Sequence, residues 1–248
     1  MLESVNLEIL LAACMFVGAV LYSSVGHGGA SAYLALMVLF GLAPGVMRPT
    51  ALALNILVAS LGSFRYIGAK MFRLRTLWPF LIGSLPFAFL GGTVQLPGVY
   101  YKPLVGVVLL VSAARLIRVS GTTAVERKLD PPIWLAIMVG AFIGLLSGLT
   151  GTGGGIFLSP ILMFFAWSSV REASGVAALF ILCNSIAGLA GNFSVVQALP
   201  TELPLYAGAV LAGGLIGTTA GISFSPAIIQ RTLAVVLTVA GAKLIGVY

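Results

Sequence analysis

Negative charge is scarce in this chain: of 248 residues only six are Asp or Glu, and all charged residues together make up 8%. The six carboxylates, Glu3, Glu8, Glu126, Asp130, Glu172 and Glu202, map to termini or to the edges of apolar segments. No carboxylate is left inside a span, which argues against a cation site or an Asp/Glu proton relay. There is one histidine, His27, and with no buried acid beside it no Ser-His-Asp triad can be built. Walker loops, HExxH and nucleophile elbows are also missing, so an enzyme is not expected. The two cysteines, Cys14 and Cys183, lie singly in apolar stretches and read as small core residues, not as a disulfide or a metal site. The N-terminus lacks a basic n-region and an Ala-x-Ala pattern, so Leu7 to Ser23 is expected to be a retained element.

Apolar sequence fills the space that charge leaves. Hydrophobic residues are 60% of the chain and the mean hydropathy is +1.13, far from soluble proteins, in which about 25% of residues are charged. The composition defines an all-α polytopic membrane protein with no room for a separate extramembrane domain. A pI near 9.8 would suggest nucleic acid in a soluble protein. Here the 13 Lys and Arg fall mostly in short loops, where they set orientation, and nucleic acid is not an expected partner.

The chain is written twice. A shift of 125 residues lays Gly26-His27-Gly28-Gly29 on Gly151-Thr152-Gly153-Gly154, Ala53-Leu54 on Ala178-Leu179, Ser60 on Ser185, Gly83 on Gly208 and Gly92-Thr93 on Gly217-Thr218. The organisation expected is a first membrane repeat over 1–119, a linker over 120–131 and a second repeat over 132–248, forming one integrated domain. Apolar segments fall at Leu7 to Ser24, Gly29 to Gly41, Met47 to Phe64, Leu77 to Gln95 and Lys102 to Ile117. They recur at Pro132 to Leu149, Gly155 to Trp167, Arg171 to Ala190, Leu203 to Ser223 and Ala227 to Gly246. The segment after each glycine run would extend only about 20 Å as a helix, against a hydrocarbon core of about 30 Å. It reads as the short arm of a glycine-broken re-entrant pair, tolerated in lipid where its backbone is buried in protein or lines a cavity.

Three crossings plus a hairpin, or five crossings, is an odd count, and an odd count turns the second copy upside down. Charge agrees with two inverted-topology repeats. The loop Arg65 to Arg75 carries Arg65, Lys70, Arg73 and Arg75, whereas its equivalent, Ala190 to Glu202, has no basic residue. With both termini outside, those four and Arg115, Arg118, Arg127, Lys128, Arg171 and Arg231 face the cytoplasm, and Arg48, Lys102 and Lys243 lie outside.

Glycine inside a helix costs about 1 kcal/mol against alanine, so the two runs are read as unwound. A helix that restarts after such a break presents unpaired N–H groups and a positive dipole end, and two such ends meeting near the midplane would hold an anion. The candidate substrate-binding residues are Ser24, Gly26, His27, Gly28, Gly29 and Ser31 in the first copy and Thr150, Gly151, Thr152, Gly153 and Gly154 in the second. Asn55 and Ser60, with Asn184 and Ser185, are expected mid-span on the following helices, facing the same cavity. Ser23 and Ser147 are further neutral donors nearby. His27, with an unperturbed pKa of about 6.5, is the candidate for proton coupling. Gly213-Gly214-xx-Gly217 reads instead as close helix packing. No metal ligand set and no cofactor site are expected.

At Ser24-Val25-Gly26-His27-Gly28-Gly29-Ala30 and Ser147-Gly148-Leu149-Thr150-Gly151-Thr152-Gly153-Gly154-Gly155, followed by the Arg171 to Gly188 span, the chain resembles the sulfite exporter TauE/SafE family over essentially its whole length. The resemblance implies a secondary transporter that exports sulfite, a sulfonate or a related sulfur-containing or organic anion. Alternating access at a midplane site between the repeats is the expected mechanism, in a multi-pass protein of the prokaryotic cytoplasmic (inner) membrane. The first motif differs from the second in carrying His27 for Thr152 and Ala30 for Gly155. The expected partners are a small anionic substrate, the lipid bilayer and a second copy of the chain as a homodimer. The alternative is a non-transporting membrane scaffold or subunit of the same fold.

Overall fold

Ten apolar segments become ten helices in the computed structural model, which describes residues 2–24, 26–119, 130–193, 199–220 and 226–246. They are α1 (Leu2–Ser24), α2 (Ala30–Leu39), α3 (Pro44–Gly68), α4 (Leu74–Thr93), α5 (Gly98–Val119), α6 (Ile133–Thr150), α7 (Gly155–Phe164), α8 (Val170–Gly191), α9 (Leu203–Ala220) and α10 (Pro226–Ile245). The described residues contain no strand. The linker expected over 120–131 lies outside them except for its last two residues, as do Arg127, Lys128 and the expected end, at Ser223, of the second copy's fourth segment.

Local signals explain where the helices start and stop. Pro44 opens α3 at its first turn, where a missing N–H costs nothing. A capping box opens α8: the Glu172 amide donates to Ser169 Oγ at 3.4 Å, and the Ser169 amide donates to Glu172 Oε2 at 3.2 Å. Glycine punctuates the rest. Gly151 adopts a left-handed φ of +86° and closes α6 by donating its N–H to Ser147 O at 2.8 Å. Gly29 and Gly154, also left-handed, precede α2 and α7. These two helices have ten residues each, about 15 Å of rise, and do not reach across a bilayer.

Among the described residues five helices are long and apolar enough to cross: Asn6–Ser24 within α1, then α3, α4, α6, and Glu172–Gly191 within α8. Large apolar side chains such as Phe64, Val99 and Phe164 stand on the outer surface, a distribution suited to lipid.

The helices pack through glycines, and the contacts give their directions. Side chains added at Gly140, Gly144 and Gly148 of α6 would run into the backbone of Phe80, Ser84 and Ala88 of α4; the partners ascend together, so α4 and α6 are parallel. In the same way Gly213 and Gly217 of α9 close on Phe16 and Val20 of α1, and these two helices are parallel. In α3 and α8 the order is reversed: Gly62 faces Ala178, Asn55 bonds Ser185 and Leu52 faces Gly188, so the third helix of each copy runs opposite to the other. Asp130, just before α6, pairs with Arg73 at 3.3 Å and Arg75 at 3.2 Å beside the start of α4. The end of α3, the starts of α4, α6 and α8, and Arg65, Lys70, Arg73 and Arg75 therefore share one face, called here the basic face.

Three apolar clusters fill the interior. One joins α1, α2, α3 and α9, another joins α4, α6, α7 and α8, and the third centres on α5 and α10. Exchanging the copies turns the first cluster into the second.

Candidate functional site

The two glycine breaks meet at one side chain, Asn55, which is fully buried at the middle of α3, eleven residues after Pro44 and thirteen before Gly68. Its Oδ1 accepts the N–H of Ala30, the first residue of α2, at 3.3 Å, and its Nδ2 donates to Ser185 Oγ of α8 at 2.9 Å. The amide is also the wall against which both breaks pack. A side chain at Gly28 would overlap Asn55 Oδ1, and one at Gly153 would overlap Asn55 Nδ2 and lie 3.1 Å from Ser185 Oγ and from Ile181 Cγ2. Gly153 is doubly constrained, because its φ of +75° also disfavours any side chain.

The breaks approach Asn55 from opposite ends of α3. In the first copy, a Cβ on Gly26 would lie 2.6 Å from Tyr66 Oη and 2.5 Å from Ser174 Cβ, on the basic-face half. In the second copy, a Cβ on Gly151 would lie 3.0 Å from Arg48 Cγ, near the start of α3. From these ends the chain climbs through Gly28 or Gly153 to Asn55 before α2 and α7 begin. The short helices thus present their N-termini at mid-height, where a positive dipole end suits an anion.

Most hydroxyls expected at the site are committed to protein acceptors. Ser24 Oγ donates to Leu21 O at 2.7 Å, Ser31 Oγ to Tyr22 Oη at 2.9 Å, and Thr150 Oγ1 to Leu146 O at 2.6 Å. Thr152 Oγ1 lies 3.0 Å from Thr150 Oγ1, and with the Thr150 hydrogen directed at Leu146, Thr152 is the donor of that pair. Asn184 is fully buried, with Nδ2 donating to Phe180 O of its own helix at 2.9 Å, while its Oδ1 has no partner. Ser147 Oγ, beside Gly154 at the head of α7, and Ser23 Oγ are likewise buried without a hydrogen-bond partner. Buried polar atoms of this kind require an explanation, and a polar ligand is one.

One expectation is corrected. Ser60 does not face the cavity beside Asn55: it is exposed, and its hydroxyl donates to Ile56 O at 2.7 Å. In the antiparallel register of α3 and α8 it is Asn55, not Ser60, that meets Ser185.

On the basic-face side of Asn55 a small, open-mouthed cavity is lined by Ser23, Gly26, His27 and Gly28 of the first break, by Val58, Ala59 and Gly62 of α3, and by Ala178 of α8 and Thr218 of α9. His27 stands on its rim, edge-on to Tyr22 with ring centroids 6.5 Å apart. Two further residues had no site role in the sequence. Tyr33 Oη donates to Gly28 O at 3.1 Å and steadies the first break. Arg48, expected on the outer side, is buried, 6% exposed, with NH1 donating to Val94 O at 2.8 Å and NH2 to Gly92 O at 3.1 Å. It enters α3 one turn after Pro44 and reaches the ends of α4 and α6, so hydrogen bonding to their last carbonyls draws the guanidinium inward.

The helices, their apolar exterior and the relatives define the class: a multi-pass membrane transporter. Within it, the chain belongs to the sulfite exporter TauE/SafE family, whose model matches residues 10–244. The chain is 38% identical over 239 residues to the probable membrane transporter protein y4hK of Sinorhizobium fredii, covering 95% of this chain and 97% of that protein. It is 29% identical over 253 residues to the probable membrane transporter protein YjnA of Bacillus subtilis, covering 93% of this chain and 96% of that one. No solved structure matches.

Proposed function

We propose that this protein is a secondary transporter that exports a small anion, sulfite or a related sulfur-containing or organic anion, by alternating access at a site between two inverted-topology repeats. The convergence of both glycine breaks on Asn55 from opposite ends of α3 carries the reading. Inversion is supported by the antiparallel course of α3 and α8, and by the parallel pairs α4 with α6 and α1 with α9, which exchange when the copies are exchanged. The substrate site comprises Gly28, Gly29, Asn55, Gly153, Gly154 and Ser185 at its centre. Ser24, Gly26, His27 and Ser31 lie on one side and Thr150, Gly151, Thr152 and Asn184 on the other. The absence of any carboxylate from this set, and the two helix N-termini within it, favour an anion over a cation. His27, on the cavity rim, is the proton-coupling group. The basic face lies in the cytoplasm and both termini outside, in the inner membrane.

Thermal unfolding of purified protein against sulfite, sulfate and methanesulfonate tests the reading. A ligand at about 100 times its dissociation constant adds about 2.7 kcal/mol. Stabilisation by a sulfur oxyanion, and none by sodium or potassium paired with an inert anion, is the expected result. Indifference to the whole panel contradicts it and leaves a scaffold.

A further inference from the structure

Arg48 is a buried cation without a carboxylate. Among the described residues the ion pairs are those of Asp130 with Arg73 and Arg75; Glu172 is held in its capping box and Glu202 accepts from Thr201. The hydrogen bonds of Arg48 go to backbone: Val94 O and Gly92 O at the end of α4, and, at 3.5 Å, Leu149 O at the end of α6. Helix C-termini carry partial negative charge and compensate part of the cost of burying it, but far less than a full anion does.

Its position gives the charge a use. Arg48, Asn55, Ala59 and Gly62 follow one another at spacings of seven, four and three residues, one stripe along α3. Asn55 is bonded to Ser185, and Ala59 and Gly62 bound the cavity. Arg48 is two turns beyond Asn55, about 10 Å along the axis, on the side of Asn55 away from the cavity. There its side chain packs beneath Gly151, and the same helix end is tied by Tyr101 Oη, which donates to Thr150 O at 3.1 Å. The second copy carries no arginine at the equivalent position: the counterpart of Arg48 under the 125-residue shift is Ala173.

We infer that Arg48 is the charged contact for the anion on the half of the path opposite the cavity: its guanidinium closes that half by bonding the ends of α4 and α6, and gives up those carbonyls to a bidentate oxyanion when that half opens. This assignment rests on the anion-transport reading. A planar guanidinium with five N–H donors matches two oxygens of a sulfite or sulfonate group, and charge-assisted bonds to an anion are stronger than those to neutral carbonyls.

The test is uptake of labelled sulfite into right-side-out and inside-out vesicles carrying the parent, R48K or R48Q, normalised to folded protein by size-exclusion chromatography. Loss of charge-assisted bonds corresponds to about a tenfold to a hundredfold change in affinity. R48Q is expected to raise KM by that amount for sulfite presented on the face opposite the basic one, with a much smaller change from the basic face. R48K, which keeps the charge, is expected to fall between R48Q and the parent. A purely structural arginine moves folded yield and both faces alike, so equal KM changes from the two faces, or an unchanged KM in folded R48Q, overturn the assignment. Failure of both variants to fold places Arg48 in helix assembly and also overturns it. If the parent neither takes up nor is stabilised by sulfite, sulfate or methanesulfonate, the transport reading itself has failed.

Discussion

The hydrogen bond from Asn55 to Ser185 joins residues 130 positions apart and ties the first copy to the second, so its energy measures how far the two breaks are held together. Both residues are fully buried, and Asn55 →Ala removes two bonds at once, leaving the Ala30 amide and the Ser185 hydroxyl without their partner. Each buried group left unpaired costs about 1–3 kcal/mol, so the single variant is expected to lose about 2–6 kcal/mol. Ser185→Ala leaves only the Asn55 Nδ2 donor unpaired and is expected to lose about 1–3 kcal/mol. The coupling of the pair is smaller than either loss: hydrogen bonds between membrane helices average about 0.6 kcal/mol in double-mutant cycles, with a maximum of about 1.7. Reversible unfolding in mixed micelles, by titration with sodium dodecyl sulfate, supplies the four stabilities. A coupling of about 0.6 kcal/mol or more is expected for Asn55 with Ser185, and none for Asn55 with Ser60, whose hydroxyl is bonded within its own helix. Additivity in the first cycle would refute the idea that Asn55 bridges the copies.

Three further outcomes follow from the same geometry. Gly153→Ala forces a side chain into a left-handed backbone, at about 1–2 kcal/mol, and against Asn55, at about 1–3 kcal/mol, so folded yield and unfolding midpoint both fall; Gly208→Ala, with nothing within 4 Å of its added carbon, gains up to about 1 kcal/mol of helix propensity. His27→Gln is expected to keep anion binding but lose its pH dependence, which in the parent strengthens binding as pH falls, and an identical pH profile in the variant returns His27 to a structural role. Cysteines at the exposed positions Lys70 and Thr201 are expected to label from opposite sides of intact cells, Thr201→Cys from outside; labelling of Lys70→Cys from outside overturns the orientation.

The sequence made the helices legible because apolar segments and glycine breaks are local features. Ten expected segments match ten helices, and the half-length α2 and α7 appear where a 13-residue run after glycine was too short to cross. The packing role of Gly213 and Gly217 was also readable, since small residues at four-residue spacing admit a neighbouring backbone. What depends on the crossing of α3 with α8 was not readable. The repeat alignment set Ser60 on Ser185 and so suggested that both face the site, but an antiparallel crossing pairs residues in reversed order and turns Ser60 outward. Arg48 escaped for a related reason. Its acceptors at Gly92, Val94 and Leu149 lie 44 to 101 positions away, and nothing local in the sequence marks them. The involvement of Tyr33 was invisible as well, because a tyrosine in an apolar run carries no mark of the carbonyl it will find.

The central claim, that a small anion crosses between the two glycine breaks at Asn55, is tested most directly by sulfite flux in proteoliposomes of the purified parent and of Asn55→Leu, each normalised to folded protein. Asn55→Leu keeps a side chain with the same number and branching of heavy atoms but withdraws both the acceptor for Ala30 and the donor for Ser185. Saturable flux in the parent that falls to the level of empty liposomes in the folded variant is the predicted result. Flux in folded Asn55→Leu equal to that of the parent would contradict the claim.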